Sequence, residues 1–217
     1  MIIENVSNRL CDHFVDNQII EEEDRELYYY GVHQGIVMII NFVSMAIIGL
    51  VLNMFWESIV FMICFIPIRI YAGGYHAKTQ LRCYFISQGI NALALVAIRY
   101  LPVAWWLTLA IVVVTTVLFL ILAPSEAENK PLEPYEVVKY KKIALRHWII
   151  EVVVLTALYL TDFFLADVYI AGRLVDFRAW GNCILIGFIL LSILLVMGEV
   201  SRVRREKRKA LNPDPTL

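Results

Sequence analysis

Trp105–Ala123 (WWLTLAIVVVTTVLFLILA) and Trp180–Gly198 (WGNCILIGFILLSILLVMG) decide the fold. Each is an apolar run without a single charged side chain. Each is as long as the roughly 20 residues that carry a helix across a hydrocarbon core about 30 Å thick. Outward from these two, the same reading gives six spans, at 30–52, 55–70, 81–100, 103–123, 147–170 and 178–199. Composition agrees: 60% of the 217 residues are hydrophobic and the mean hydropathy is +0.68, where a soluble domain is about 45–50% apolar. The expected fold class is all-α, a polytopic membrane protein of about six transmembrane helices in one membrane-embedded domain covering 1–217.

Two of the spans carry polar groups. The second is short and has Glu57 near its start, which suits a tilted helix or one shielded by neighbours. The third opens with Gln80 and Arg82 and contains Gln88 and Asn91, which points to a face turned toward protein or a water-filled cavity rather than lipid. Before the first span, Ile2, Ile3, Val6, Leu10, Phe14 and Val15 recur at helical spacing with polar residues between them. This predicts an amphipathic N-terminal helix, lying either in the interface or against the protein's own spans. The acidic run Glu21–Asp24 suits a helix start. Nothing in the opening IIENVSNRLCDHF has the form of a cleaved signal peptide.

Charge placement orients the chain. With alternating crossings, sixteen of the nineteen Lys and Arg residues fall on the side of the N-terminus, the 69–82 loop, the 123–146 loop with its 124–142 linker, and the 200–217 tail. The other side holds Arg99, Arg173 and Arg178. The positive-inside rule places both termini and the 69–82 loop in the cytoplasm, at the cell membrane. Residues 1–26 form a cytoplasmic segment, and the proline-rich 124–136 stretch (PSEAENKPLEPYE) reads as part of a cytoplasmic linker.

Chemistry concentrates in one place, Arg69-Ile-Tyr-Ala-Gly-Gly-Tyr-His-Ala-Lys78 followed by Cys83. A catalytic cysteine acts as its thiolate, and a nearby imidazole is the natural base that activates it and later protonates the leaving amine. On one continuous helix His76 and Cys83 would share a face about 10.5 Å apart, beyond a hydrogen bond. The chain must therefore bend. Gly73-Gly74 permits the bend, His76 is expected in a loop, and Cys83 is expected to open the third span, where the helix dipole favours negative charge. Arg69, Lys78 and Arg82 are candidates to hold an acidic segment of a substrate. The Gly73 or Gly74 amides are candidates for an oxyanion site. The remaining cysteines, Cys11, Cys64 and Cys183, are scattered and form no CxxC, which argues against a disulfide framework or a zinc site. No metal, cofactor or nucleic-acid partner is expected.

This run, R-I-Y-A-G-G-Y-H-A-K-x4-C, resembles the signature of the accessory gene regulator protein B (AgrB) family, membrane endopeptidases of quorum-sensing systems. The likeness extends to the six-span layout, the size and the N-K-P-L stretch at Asn129–Leu132. It implies that His76 and Cys83 are the catalytic pair and that Arg69 and Gly74 support them. It also implies an AgrD-like propeptide as substrate and a homodimer as the assembly. In that reading Cys83 attacks the peptide bond before an acidic C-terminal tail, and an internal thiol or hydroxyl of the peptide then closes a thiolactone or lactone ring. The competing reading is a non-enzymatic transporter or scaffold whose path is lined by Glu57, Gln88, Asn91 and Glu151. It has no visible internal repeat in its favour. The motifs HExxH and, within a span, EExxxR are absent, which argues against the zinc and glutamate membrane proteases.

Overall fold

A computed structural model describes residues 2–75, 79–100, 104–125, 132–165, 169–170, 173–174 and 176–211. Seven helices account for almost all of it: α1 (Ile2–Asp16), α2 (Arg25–Val51), α3 (Phe55–Ala72), α4 (Gln80–Tyr100), α5 (Trp105–Leu122), α6 (Pro134–Phe164) and α7 (Phe177–Leu211). A 3-10 turn, Glu22–Asp24, leads into α2, so the acidic run is the solvated helix start expected of it. Six helices, α2 to α7, are long and apolar enough to cross a membrane. The protein is an all-α, multi-pass membrane protein.

Helix α7 is the centre of the bundle. It packs on α3, α4, α5 and α6, and Cys183, Leu185, Phe188, Leu191 and Leu195 are fully buried along it. A helix apolar all round is a buried helix. Phe119 of α5, Trp148 of α6 and Phe188 of α7 stack face to face, with centroids 4.5 Å and 4.0 Å apart. The indole N–H of Trp148 is satisfied by Thr116 Oγ1 at 3.1 Å. Helix α2 is peripheral, touching α1, α3 and α4, and buries only Gly49. Its contact with α4 is polar: Ser44 with Tyr84 at 2.8 Å, Gln88 Nε2 donating to Asn41 Oδ1 at 3.2 Å, and Asn91 Nδ2 donating to the Met45 carbonyl at 3.3 Å. Gln88 and Asn91 of the third span thus face protein.

Helix α1 lies along the start of α2. Its Ser7 and Cys11 are buried, and Arg25 ties the pair together by donating to Asp12 at 2.5 Å and Asn8 at 3.3 Å. Of the two settings open to this helix, the structure shows packing against the protein's own span, although Val6 and Leu10 remain exposed.

Helix ends differ from the spans read by hydropathy. The fifth span was expected at 147–170, but α6 begins at Pro134, inside the stretch read as linker, and stops at Phe164. Tyr169–Ile170 and Arg173–Leu174 then pair as a short antiparallel ladder. The sixth span continues to Leu211, through the first part of the basic tail. The physical reason is that hydropathy measures depth in the membrane, whereas a helix can continue into water. At 1.5 Å per residue the 31 residues of α6 reach about 46 Å, well beyond the apolar core. The start of α6 has its own local cause: Pro134 takes the first helical position, and Glu136 accepts the Glu133 N–H at 3.1 Å.

Candidate functional site

The glycine pair is held in place by backbone. Helix α3 ends at Ala72, and Gly73 turns the chain at φ 74°, ψ −146°, its N–H closing on the Arg69 carbonyl at 3.2 Å. Gly74 follows at φ 111°. These conformations are almost confined to glycine. The loop then runs beside Ser125. Ser125 N–H donates to the Ala72 carbonyl at 2.9 Å and Gly74 N–H donates to the Ser125 carbonyl at 3.4 Å. One residue on, Tyr75 N–H donates to the Leu194 carbonyl of α7 at 2.9 Å.

The approach leaves no room for side chains. A Cβ on Gly73 would sit 2.0 Å from the Ser125 carbonyl oxygen, and one on Gly74 would sit 3.0 Å from the Leu194 carbonyl oxygen. Across the contact, a Cβ on Gly198 of α7 would lie 3.1 Å from the Gly74 backbone. The loop therefore crosses α7 backbone to backbone.

Arg69 fastens the same loop from the other side. Its guanidinium donates to the Gly73 carbonyl through one nitrogen and to the Tyr75 carbonyl through another. These bonds give it a role that sequence reasoning missed, holding the loop. The amides of Gly73 and Gly74 are likewise taken, by Arg69 and Ser125. The oxyanion site expected from them is not what this arrangement provides.

Cys83 stands in the first turn of α4, as expected. Thr79 caps this helix: its Oγ1 accepts the Arg82 N–H at 3.4 Å, and its carbonyl accepts the Cys83 N–H at 3.0 Å. Cys83 is a free thiol, partly buried, and lies within Coulombic range of the Arg69 charge. Arg82 is exposed on the same turn. Gln80, at the first position of α4, bonds His33 of α2 at 3.2 Å. His76 and Lys78 lie outside the described residues, as do Asn129, Lys130 and Pro131 of the N-K-P-L stretch. The structure thus brings Arg69, Gly73, Gly74 and Cys83 to one end of the bundle. His147 is at the α3–α6 contact instead, stacked on Tyr71, with Nδ1 bonded to the Ile143 carbonyl. Among the described residues no group of His, Cys, Asp and Glu has the make-up of a metal site.

Sequence reasoning also missed Ser125, Leu194 and Gly198. Gly198 offered the one signal, a glycine in a helix that is otherwise densely apolar.

The family model described as Accessory gene regulator B matches residues 7–195. Among curated proteins the chain is similar to AgrB-like protein 2 of Clostridium perfringens (strain 13 / Type A), with 28% identity over 86 residues, 40% of each chain. It is also similar to an AgrB-like protein of Clostridium perfringens (strain SM101 / Type A), with 25% identity over 143 residues, 61% of this chain and 65% of the other. The alignments thus span less than two thirds of either relative's length. No solved structure matches.

Proposed function

The chain belongs to the accessory gene regulator B family, and from that premise we propose that it is a membrane cysteine endopeptidase that trims and cyclises a short AgrD-like propeptide. The observation that carries the reading is the placement of Cys83, a free thiol in the first turn of α4 within range of the Arg69 charge. A cysteine nucleophile has to stand where a substrate and its base can reach it, and the opening turn of α4 is such a place.

The Cys83 thiolate attacks the carbonyl carbon of the peptide bond that precedes the propeptide's C-terminal tail. The C–N bond breaks, the His76 imidazolium gives its proton to the departing amine, and a thioester to Cys83 remains. An internal thiol of the peptide then gives its proton to the neutral His76 and attacks the thioester carbonyl. The bond to Cys83 breaks, the ring closes as a thiolactone, and the thiolate and imidazolium are restored. An internal hydroxyl gives a lactone by the same route. Exchange of one thioester for another is nearly isoenergetic, so closure needs no nucleotide. Formation of the first thioester from an amide is uphill and is driven by removal of the tail.

Arg69 holds the Gly73–Tyr75 stretch of the chain that precedes His76 in the sequence. Lys78 and Arg82 are left to meet an acidic tail. Both termini and this loop lie on the cytoplasmic side, consistent with the excess of Lys and Arg there, and the working assembly is a homodimer.

The test is co-expression with a candidate propeptide, following the peptide by mass spectrometry in wild type, Cys83→Ala and His76→Ala. The expected result is tail loss in wild type alone, with a peptide adduct on Cys83. Tail loss that persists in Cys83→Ala refutes the proposal.

A further inference from the structure

The end of the bundle opposite the Gly73–Gly74 loop carries a cleft of about 470 Å³. It lies between the first turn of α3, the last turn of α4 and the start of α7, and its lining includes Glu57, Arg99, Tyr100, Asp176, Arg178 and Asn182. The volume is within the roughly 300–1,000 Å³ of small-ligand sites. Both signs of charge meet in it.

Several of these groups are fixed in place. Arg99 Nη2 donates to the Leu52 carbonyl at 2.8 Å, which holds the guanidinium over the turn between α2 and α3. Asp176 caps α7, its Oδ1 accepting the Ala179 N–H at 2.8 Å. Asn182 is 6% exposed, and its Oδ1 accepts the Tyr159 hydroxyl at 2.7 Å. That bond assigns the oxygen, so the Asn182 amide nitrogen is the atom left to donate. Among the described residues neither that nitrogen nor the Glu57 carboxylate has a hydrogen-bond partner. Both residues line the cleft, so a ligand that enters it can supply one.

The depth of the cleft says what meets it. It sits at helix termini, and four aromatic residues of this end, Trp56, Tyr100, Trp105 and Trp106, are 54–80% exposed. Exposed Trp and Tyr at helix ends mark the headgroup layer of a bilayer. A ligand there with donors for Glu57 and Asp176 and acceptors for Arg99 and Asn182 is a zwitterion. We propose that this cleft binds the headgroup of a phospholipid that carries both a phosphate and a primary ammonium. The phosphate meets Arg99 and the Asn182 amide. The ammonium donates to Glu57 and to the Asp176 oxygen that does not cap α7. Free peptides also carry both charges, but the exposed Trp and Tyr side chains of this end favour a ligand anchored in the bilayer.

The test uses the full-length protein in mixed micelles with equal amounts of phosphatylethanolamine, phosphatidylglycerol and phosphatidylcholine, read by native mass spectrometry. Wild type is expected to retain phosphatidylethanolamine about tenfold over the other two, the factor one charge-assisted hydrogen bond supplies. Phosphatidylglycerol lacks the ammonium, and phosphatidylcholine has no N–H to donate. Glu57→Gln is expected to bring the preference close to one, whereas Arg99→Gln is expected to lower retention of all three lipids. Equal retention by wild type overturns the proposal, as does a preference that survives both substitutions. A short linear peptide with free termini that binds the delipidated protein, and is lost in Glu57→Gln, assigns the cleft to a peptide and overturns it too. If a variant fails to fold, the three-lipid comparison on wild type decides alone.

Discussion

Replacing Gly73 by alanine tests whether the loop geometry matters. The residue turns at φ 74°, ψ −146°, a conformation that costs a side-chain-bearing residue about 1–3 kcal/mol. The new Cβ would also stand 2.0 Å from the Ser125 carbonyl oxygen, and both atoms belong to backbone that cannot swing aside. Relief requires a separation of more than 1 Å, which breaks the bonds from Ser125 N–H to the Ala72 carbonyl and from Gly74 N–H to the Ser125 carbonyl. At about 0.5–1.5 kcal/mol for each lost bond, the whole disturbance is about 2–6 kcal/mol. It is confined to the loop, since the stacked rings of Phe119, Trp148 and Phe188 lie elsewhere in the core. The expected outcome is a protein that is made, inserted and extracted in normal yield, with a cleavage rate down about a hundredfold, the usual cost of a misplacement near 1 Å. The assay is tail release from a co-expressed propeptide, with size-exclusion profile and melting temperature measured on the same preparation. Wild-type cleavage by Gly73→Ala would refute the reasoning, because it would mean that the loop moves freely without consequence.

Arg69→Lys is expected to lose most cleavage activity, at least tenfold, because one ammonium cannot span two carbonyls as the planar guanidinium does; the same tail-release assay measures it. Gly198→Ala would gain about 0.5–1 kcal/mol in an ordinary helix, but here its Cβ meets the Gly74 backbone at 3.1 Å. It is therefore expected to slow cleavage while leaving the melting temperature within a few degrees. Trp148→Ala removes the middle ring of the stack and is expected to cost about 3–5 kcal/mol, seen as loss of the monodisperse peak in detergent. Arg25→Ala cuts a solvent-screened ion pair between α1 and the start of α2. Hydrogen exchange in α1 should quicken while cleavage stays within twofold.

The six spans were legible because the physics that sets them is one-dimensional: apolar length against membrane thickness. Helix extents were not, because Pro134–Arg146 and Ser201–Leu211 are helical without being apolar. The glycine pair was legible as a bend, and Cys83 as the opening of α4, since both are local properties. The partners of that bend were not. Ser125 and Leu194 act through main-chain atoms, which every residue type carries, so no side-chain pattern announces them. The loop-holding role of Arg69 was hidden for the same reason. A cation beside a glycine loop suggests an anion as its partner, whereas its bonds go to two carbonyls. For α1, periodicity gave the helix and one buried face, but the choice between lipid and α2 turned on Arg25 reaching Asp12 across thirteen residues.

The two halves of the candidate site are anchored differently. The loop is bonded through its backbone to Ser125 and to α7, the most buried helix, whose packed interior does not deform readily. The thiol stands on α4, whose contacts with peripheral α2 are side-chain hydrogen bonds. Arg69 belongs to both, since its guanidinium grips the loop and lies within electrostatic reach of Cys83. Substitutions at Gly73 and Gly198 therefore move the loop alone, while Arg69→Lys moves the loop and keeps a charge near the thiol. If loop position dominates, Arg69→Lys and Gly73→Ala lose activity to a similar degree. If the charge near the thiol dominates, both variants keep most of their activity, because each retains a cation at position 69.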